Sequence, residues 1–324
     1  MKPVAHPATA LAVLGALLLV APAATGARPA GPTWTTPEKA AAADPDFLLQ
    51  GEYRGKGNAA QVIALGQGRF QVMRFAGGLP GDGWDGRPPA AQLADAEAVG
   101  RAVSAMKRIE RKSSTLGAKP PTGATVLFDG TSASKFQGGK LTEDGLLAEG
   151  CHTTGVFGDF TLHLEFRLPY KPRSKPGGQD RGNSGVYIFN RYETQVLDSF
   201  GLHYGQDDWK RRFQADWGGN PPSDRSQWCG AFYKFKVPDV NMCFPPLAWQ
   251  TYDIDFTAPR FADGKKVAPA RITVRHNGVT IHDNVTLPKG TGAGGGRAEI
   301  PKGGIHLQGH GNPVRFRNIW IQPR

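Results

Sequence analysis

The chain of 324 residues has only three cysteines, Cys151, Cys229 and Cys243, and no two of them are spaced as Cys-x-x-Cys. That spacing excludes a cysteine-built zinc site, and the count excludes a disulfide-dense scaffold. Long apolar runs are also missing. The longest, from Ala10 to Ala21, has 12 residues, short of the roughly 20 that a membrane-spanning helix needs. Helical periodicity is scarce, whereas 43 glycines and 26 prolines point to tight turns and an all-β chain. The net charge is +11, yet the Lys and Arg residues are scattered and no nucleic-acid motif accompanies the densest runs, "MKRIERK" and "WKRR". The basic balance therefore reads as a solvated surface, and nucleic acid is not an expected partner.

The N-terminus carries the clearest address. Lys2 and His6 precede "ALAVLGALLLVAPAATGA", a charged start followed by a short apolar core and small residues, as in a secretory signal peptide over residues 1–27. The expectation is export, secreted or periplasmic, with no transmembrane span. In that compartment Cys229 and Cys243, flanking a Gly/Pro-rich segment, are expected to form one disulfide and leave Cys151 free. Residues 28–43 read as an Ala/Pro/Thr-rich linker. Residues 44–90 read as a small β-meander built from "FLLQGEYRG", "AQVIALG" and "RFQVMRFAGG". In residues 91–121, apolar positions three or four apart from Leu93 to Ile109 predict one surface helix over 92–112, followed by a turn-rich connector.

From residue 122 to 324 the pattern is strand after strand. "DFTLHLEFRLP" places Leu162, Leu164, Phe166 and Leu168 on one face, and Thr161, His163, Glu165 and Arg167 on the other. Asn277-Gly278 marks a two-residue hairpin turn. Evenly spaced antiparallel strands over about 200 residues suggest a two-sheet sandwich or jelly roll.

One stretch is chemically unusual. "GNSGVYIFNRYETQVLDSFG", residues 182–201, reads as a strand in which Tyr187, Phe189, Arg191, Glu193 and Gln195 share a face, with a bulge near Val196-Leu197 turning Asp198 to the same side. Aromatic rings stack on sugar faces, while carboxyls and amides bond hydroxyls, so this is the composition of a carbohydrate cleft. In "GGIHLQGHGNP", His306, Gln308 and His310 form a second polar stripe. Histidines meeting carboxyls would supply acid/base groups near neutral pH. The candidates are Glu193, Asp198 and His310 for catalysis, with Asn183, Tyr187, Arg191, Gln195, His306 and Gln308 for binding. Asn183 reads equally as a ligand amide or a turn residue. His152, His163, His276 and His282 read as surface or core residues. In the segment 202–238, Trp209, Trp217 and Trp228 either stack on sugar or pack the loop down. The glycines of "KGTGAGGGRAE" read as a hairpin tip rather than a phosphate loop. No cofactor motif is present; a divalent cation held by His and carboxylates is compatible with these residue types but required by none of them.

Several motifs occur in order: "LFDG", "GDFTLHLEFRLP", "GNSGVYIFNRYETQVLDSFG", "VNMCFPPLAWQTYDIDF", "VRHNGVTIHD" and "LQGHGNPVRFRNIWI". Together, over residues 122–324, they make the chain resemble the 3-keto-disaccharide hydrolase family, and particularly its secreted planctomycete members, some of which carry a segment like "GGLPGDGWDG". The resemblance implies a concanavalin A-like sandwich and action on glycosidic bonds of 3-keto-sugars. It also brings out a departure: the Glu-x-Gln-x-x-Asp run differs from the Glu-x-Asp-x-x-Glu of sandwich-fold glucanases at Gln195 and Asp198, which argues against a standard retaining glycosidase. A ketone at C3 instead acidifies the C2 proton, opening an elimination–hydration route. A non-catalytic carbohydrate-binding or surface-attachment module is the alternative from a different class.

Overall fold

The computed structural model describes residues 31–203 and 224–324. The expected signal peptide, Trp209 and Trp217 lie outside them. Among the described residues no helix is long and apolar enough to cross a membrane.

The N-terminal sheet has the order β4-β3-β2-β1-β5, formed by β1 (Gly51–Arg54), β2 (Asn58–Gly66), β3 (Arg69–Ala76), β4 (Ala90–Asp95) and β5 (Lys107–Ile109). It is larger than the expected three-strand meander because the helix expected over 92–112 is broken into three. Residues 90–95 pair with β3, and the Asp95 carboxylate accepts from Ala98 N, so the helix begins only at Ala96 and ends at Val103. Lys107–Ile109 then pairs with β1. Leu93 counted toward the helical period, yet it is exposed on the strand. Two short helices precede the sheet, Pro37–Ala43 capped by Thr36 and Pro45–Leu49 capped by Asp44. They occupy part of the expected linker and the start of the expected first strand, because Pro at the first helical turn and an Asp or Thr cap favour helix there.

The rest is a β-sandwich, as the strand spacing implied. Its strands are β6 (Thr125–Phe128), β7 (Phe136–Gln137), β8 (Leu147–Ala148), β9 (Cys151–Thr153), β10 (Phe160–Arg167), β11 (Ser184–Ile188), β12 (Tyr192–Val196), β13 (Trp249–Thr257), β14 (Arg260–Ala262), β15 (Lys265–Ala268), β16 (Ala270–His276), β17 (Val279–Leu287), β18 (Ile305–Leu307) and β19 (Arg315–Pro323). One sheet runs β17-β16-β13-β10-β19-β6, with β8 also pairing β19; the other runs β12-β11-β18-β9-β7. Their inward residues, including Leu162, Leu164, Phe166, Val186, Ile188, Ile254, Phe256, Ile305 and Leu307, share one buried cluster. The Tyr252 hydroxyl crosses between the sheets to donate to the Gln195 carbonyl at 2.6 Å.

The N-terminal sheet is not an independent appendage. Alternation along β2 sends Ala59, Ile63 and Leu65 into the sandwich core, and Ala60, Val62 and Ala64 against the helices. Gly201 permits this docking, since a Cβ there would lie 2.2 Å from Ile63 Cδ1. After β5, residues 113–118 strap across the outer face of the seven-stranded sheet, bonding Thr251, Asp253 and Glu165.

Candidate functional site

The stretch 182–201 is a hairpin, not one long strand. Phe189 and Asn190 adopt φ values of 58° and 55°, and Arg191 N bonds Ile188 O at 3.0 Å, which turns the chain back. A bulky residue at positive φ is uncommon. Here Phe189 is held by burial in the core, and Gly303 makes room for it, since a Cβ on Gly303 would come within 2.8 Å of Phe189 Cβ. The fold-back changes which residues meet. Tyr187 pairs with Glu193 on β12 and with His306 on β18, and His306 pairs with His152 on β9. Strand alternation then aligns Glu193, Tyr187, His306 and His152 in one row across four neighbouring strands, on the face turned away from the core. The Tyr187 and His306 rings lie 5.6 Å apart and the His306 and His152 rings 6.3 Å apart.

A pocket of about 310 Å³ opens on this row, lined by His152, Tyr187, Asn190, Arg297, His306 and Gln308. That volume holds a small sugar. Glu193 lies behind the Tyr187 hydroxyl, 2% exposed. Burial pushes its carboxyl up to about 7, against the opposing effect of the Tyr187 hydrogen bond. The Gln195 amide is 2.9 Å from both Glu193 Oε1 and the Ser184 carbonyl, so its nitrogen is the atom that faces these two acceptors. Opposite Gln195, Gly185 leaves the space the carboxylate fills, since a Cβ would meet Glu193 Oε1 at 2.5 Å. His306 moves the other way: burial first, then the neighbouring His152 and Arg297, hold it below the ordinary imidazole range. Burial and the Glu193 carboxylate raise the Tyr187 phenol, which stays protonated.

The expected residues divide sharply. Tyr187, His306 and Gln308 line the pocket, and Glu193 and Gln195 stand behind it. Asp198 does not belong to it: its carboxylate pairs with Arg181 Nε at 2.7 Å, both buried, and accepts from Phe200 N at 3.1 Å. No bulge turns it toward Glu193, because the hairpin ends at Val196 and Asp198 N bonds back to Arg181 O. Arg181 also donates to Ala64 O at 3.1 Å, so this ion pair ties the sandwich to the N-terminal sheet. His310 is exposed in the loop after β18 and is not one of the residues that line the pocket. Asn183 is buried and donates to Gln179. Arg191 spends its guanidinium on the Ala298 and Phe189 carbonyls, each at 2.8 Å. The expected disulfide is not formed: Cys229 and Cys243 are buried free thiols, Cys229 Sγ lying 3.2 Å from the Tyr252 hydroxyl and Cys243 Sγ donating to the Leu197 carbonyl at 3.6 Å. Trp228 is buried.

Sequence reasoning passed over His152, Asn190 and Arg297. His152 sits on a three-residue strand, too short to show a period. Asn190 in the left-handed region is a turn signal masked by its aromatic neighbours. Arg297 follows a glycine run that looked like a bare tip. His163, His276 and His282 are fully buried and hydrogen-bonded. Among the described residues no three His, Cys, Asp or Glu side chains converge as a metal set.

Residues 123–322 match the model of a family described as a 3-keto-alpha-glucoside-1,2-lyase-like domain. Three crystal structures of provisionally assigned glycosyl hydrolases from Parabacteroides distasonis are similar. The first shares 30% identity over 63% of this chain and 85% of its own, with a TM-score of 0.47. The others share 18% and 21%, each over 62% of this chain and over 94% and 99% of their own, with TM-scores of 0.43 and 0.40. No curated protein matches the chain.

Proposed function

Because the chain belongs to the 3-keto-alpha-glucoside-1,2-lyase-like family, which gives it a carbohydrate-active domain, we propose that it is an exported enzyme that cleaves 3-keto-glycosides by elimination and hydration in the pocket above Tyr187. The observation that carries this reading is the row Glu193–Tyr187–His306: two proton-transfer groups with oppositely shifted affinities flank a phenol at a sugar-sized opening. Such a divergence separates an acid from a base at one pH.

Neutral His306 takes the proton from C2. The C–H electron pair forms the C2–C3 double bond, and the C3 carbonyl becomes an enolate. The enolate re-forms the carbonyl as the C1–O bond breaks, leaving a C1–C2 double bond. Tyr187, which lines the pocket, gives its proton to the leaving oxygen and is refilled by protonated Glu193 behind it. Water then adds hydroxyl to C1 and gives its proton to the Tyr187–Glu193 pair, while protonated His306 returns a proton to C2, so both groups are restored and the net change is hydrolysis. Each proton transfer contributes about 10²–10⁴-fold to such a rate.

The test is incubation of the protein with 3-keto-disaccharides, with and without a chelator, beside Glu193→Gln and His306→Ala. Sugar release by the parent and its loss in both variants supports the reading. Glycan binding without turnover in the parent, unaffected by either substitution, would identify a binding module instead.

A further inference from the structure

Elimination through an enolate builds negative charge on the C3 oxygen, which a hydrogen-bond donor or a cation must stabilise, and Arg191, the nearest guanidinium in sequence, is occupied by two backbone carbonyls. The pocket contains another. Among the described residues that line it, Arg297 carries the only fixed positive charge, and its guanidinium donates to Asn190 O at 3.4 Å. Its position is built rather than incidental. The segment 290–298 is sewn onto the site hairpin: Thr291 N bonds Arg191 O, Glu193 N bonds Thr291 Oγ1, and Arg191 Nε bonds Ala298 O, each at 2.8 Å. Glycine is needed for that approach, since a Cβ on Gly290 or Gly294 would lie 2.9 Å or 2.4 Å from Arg191 O. The glycine-rich run thus lets one backbone lie on another and delivers the next long side chain, Arg297, to the pocket edge beside His306.

We propose that Arg297 is a catalytic residue whose guanidinium stabilises the negative charge that develops on the C3 oxygen when the C2 proton leaves. This rests on the lyase reading above and goes one step beyond it. A guanidinium presents several N–H donors in a plane and keeps its charge at every working pH. Near an enolate it would lower the barrier without exchanging a proton itself. Arg191 then acts as a positioning residue, through its bonds to the segment that carries Arg297.

The experiment compares the parent, Arg297→Ala, Arg297→Lys and Glu193→Gln on a 3-keto-disaccharide, with guanidinium chloride at non-denaturing concentration as a rescue arm. Loss of one charge-stabilising donor costs about 10²–10³-fold in kcat. The expected pattern is a loss of that size in Arg297→Ala with little change in KM, partial activity in Arg297→Lys, and recovery of Arg297→Ala with added guanidinium. Arg297→Ala within about two-fold of the parent, while Glu193→Gln is inactive, would overturn the Arg297 assignment and leave the lyase reading standing. A full-size loss in Arg297→Ala that guanidinium does not restore, with unchanged melting, would overturn the charge-stabilising role. No sugar release by the folded parent would overturn both.

Discussion

On the outer face of the seven-stranded sheet, His163, Glu165 and Asp253 lie beneath residues 113–118; on the outer face of the five-stranded sheet, Glu193, Tyr187 and His306 lie beside a pocket. Both clusters combine an imidazole, carboxylate chemistry and an aromatic ring. His163 bonds Asp253 at 2.6 Å and stacks on Trp320. Burial alone would raise Glu165, but bonds involving His163, Asn318, Arg317 and Gly117 N bring it down to about 2. Its Oε1 accepts from Gly117 N and the Asn318 amide and its Oε2 from the Arg317 guanidinium, so both oxygens are satisfied and the group is fixed. Glu193 is just as buried, yet its hydrogen-bond donors are neutral ones, the Tyr187 hydroxyl and the Gln195 amide, and it moves to about 7. Burial without a compensating positive charge makes a poised acid, whereas burial with full compensation makes a structural strap.

The comparison breaks most sharply on activity. Glu193→Gln and His306→Ala are expected to lose at least about 10²-fold in turnover, with no loss of melting temperature for Glu193→Gln, whereas Glu165→Gln should keep the turnover of its folded fraction. A stopped assay normalised to folded protein separates the two. Next in size is the third buried carboxylate. Asp198→Asn removes the partner of Arg181 and should cost about 3–5 kcal/mol in denaturant unfolding, with the N-terminal sheet losing amide protection first. Glu165→Gln should cost about 3 kcal/mol by the same logic.

A pH series sharpens the contrast because the two glutamates act with opposite sign. Glu165 is depressed from 4.5 to about 2, so its contribution is complete above pH 4.5 and fades as pH falls toward 2. Glu193 is raised from 4.5 to about 7, so its contribution is complete below 4.5 and lost as pH rises through 7. The stability of Glu193→Gln relative to the parent should therefore climb between pH 5 and 8, by on the order of 2 kcal/mol, measurable by paired thermal melts. The smallest effect belongs to His310→Ala, which should leave turnover within about two-fold, as a surface change does.

How much was readable in advance follows from which forces set each element. The sandwich was legible because "DFTLHLEFRLP" alternates cleanly and its apolar half faces the core. Tyr187, Glu193 and His306 were legible as chemistry because such a polar series has no use in an ordinary strand. Their geometry was not. The turn at Phe189-Asn190 lacks the Asn-Gly signature, and it is held by tertiary contacts: burial of Phe189 against Gly303, the bond from Phe189 N to Gly304 O, and the Arg191 guanidinium on the Phe189 carbonyl. Once the strand is read as a hairpin, parity no longer carries Arg191 or Asp198 into the cleft. The Asp198–Arg181 pair joins residues of two loops, and the strap over His163 bonds partners more than 130 residues away at Thr251 and Asp253. Local sequence holds no record of such contacts. The helix failed for a related reason: pairing with β3 outweighed a helical period in residues 90–95.

The central claim is that Glu193 and His306 are a separated acid–base pair, and the pH–rate profile on a 3-keto-disaccharide tests it most directly. His306 must be neutral to take a proton and lies below its usual 6.5, while Glu193 must be protonated to give one and lies near 7. The account predicts a bell for the parent, with the acid limb below 6.5, the alkaline limb near 7, and loss of the alkaline limb from the residual activity of Glu193→Gln. A rate that is flat from pH 5 to 8, or an alkaline limb that survives in Glu193→Gln, would contradict it.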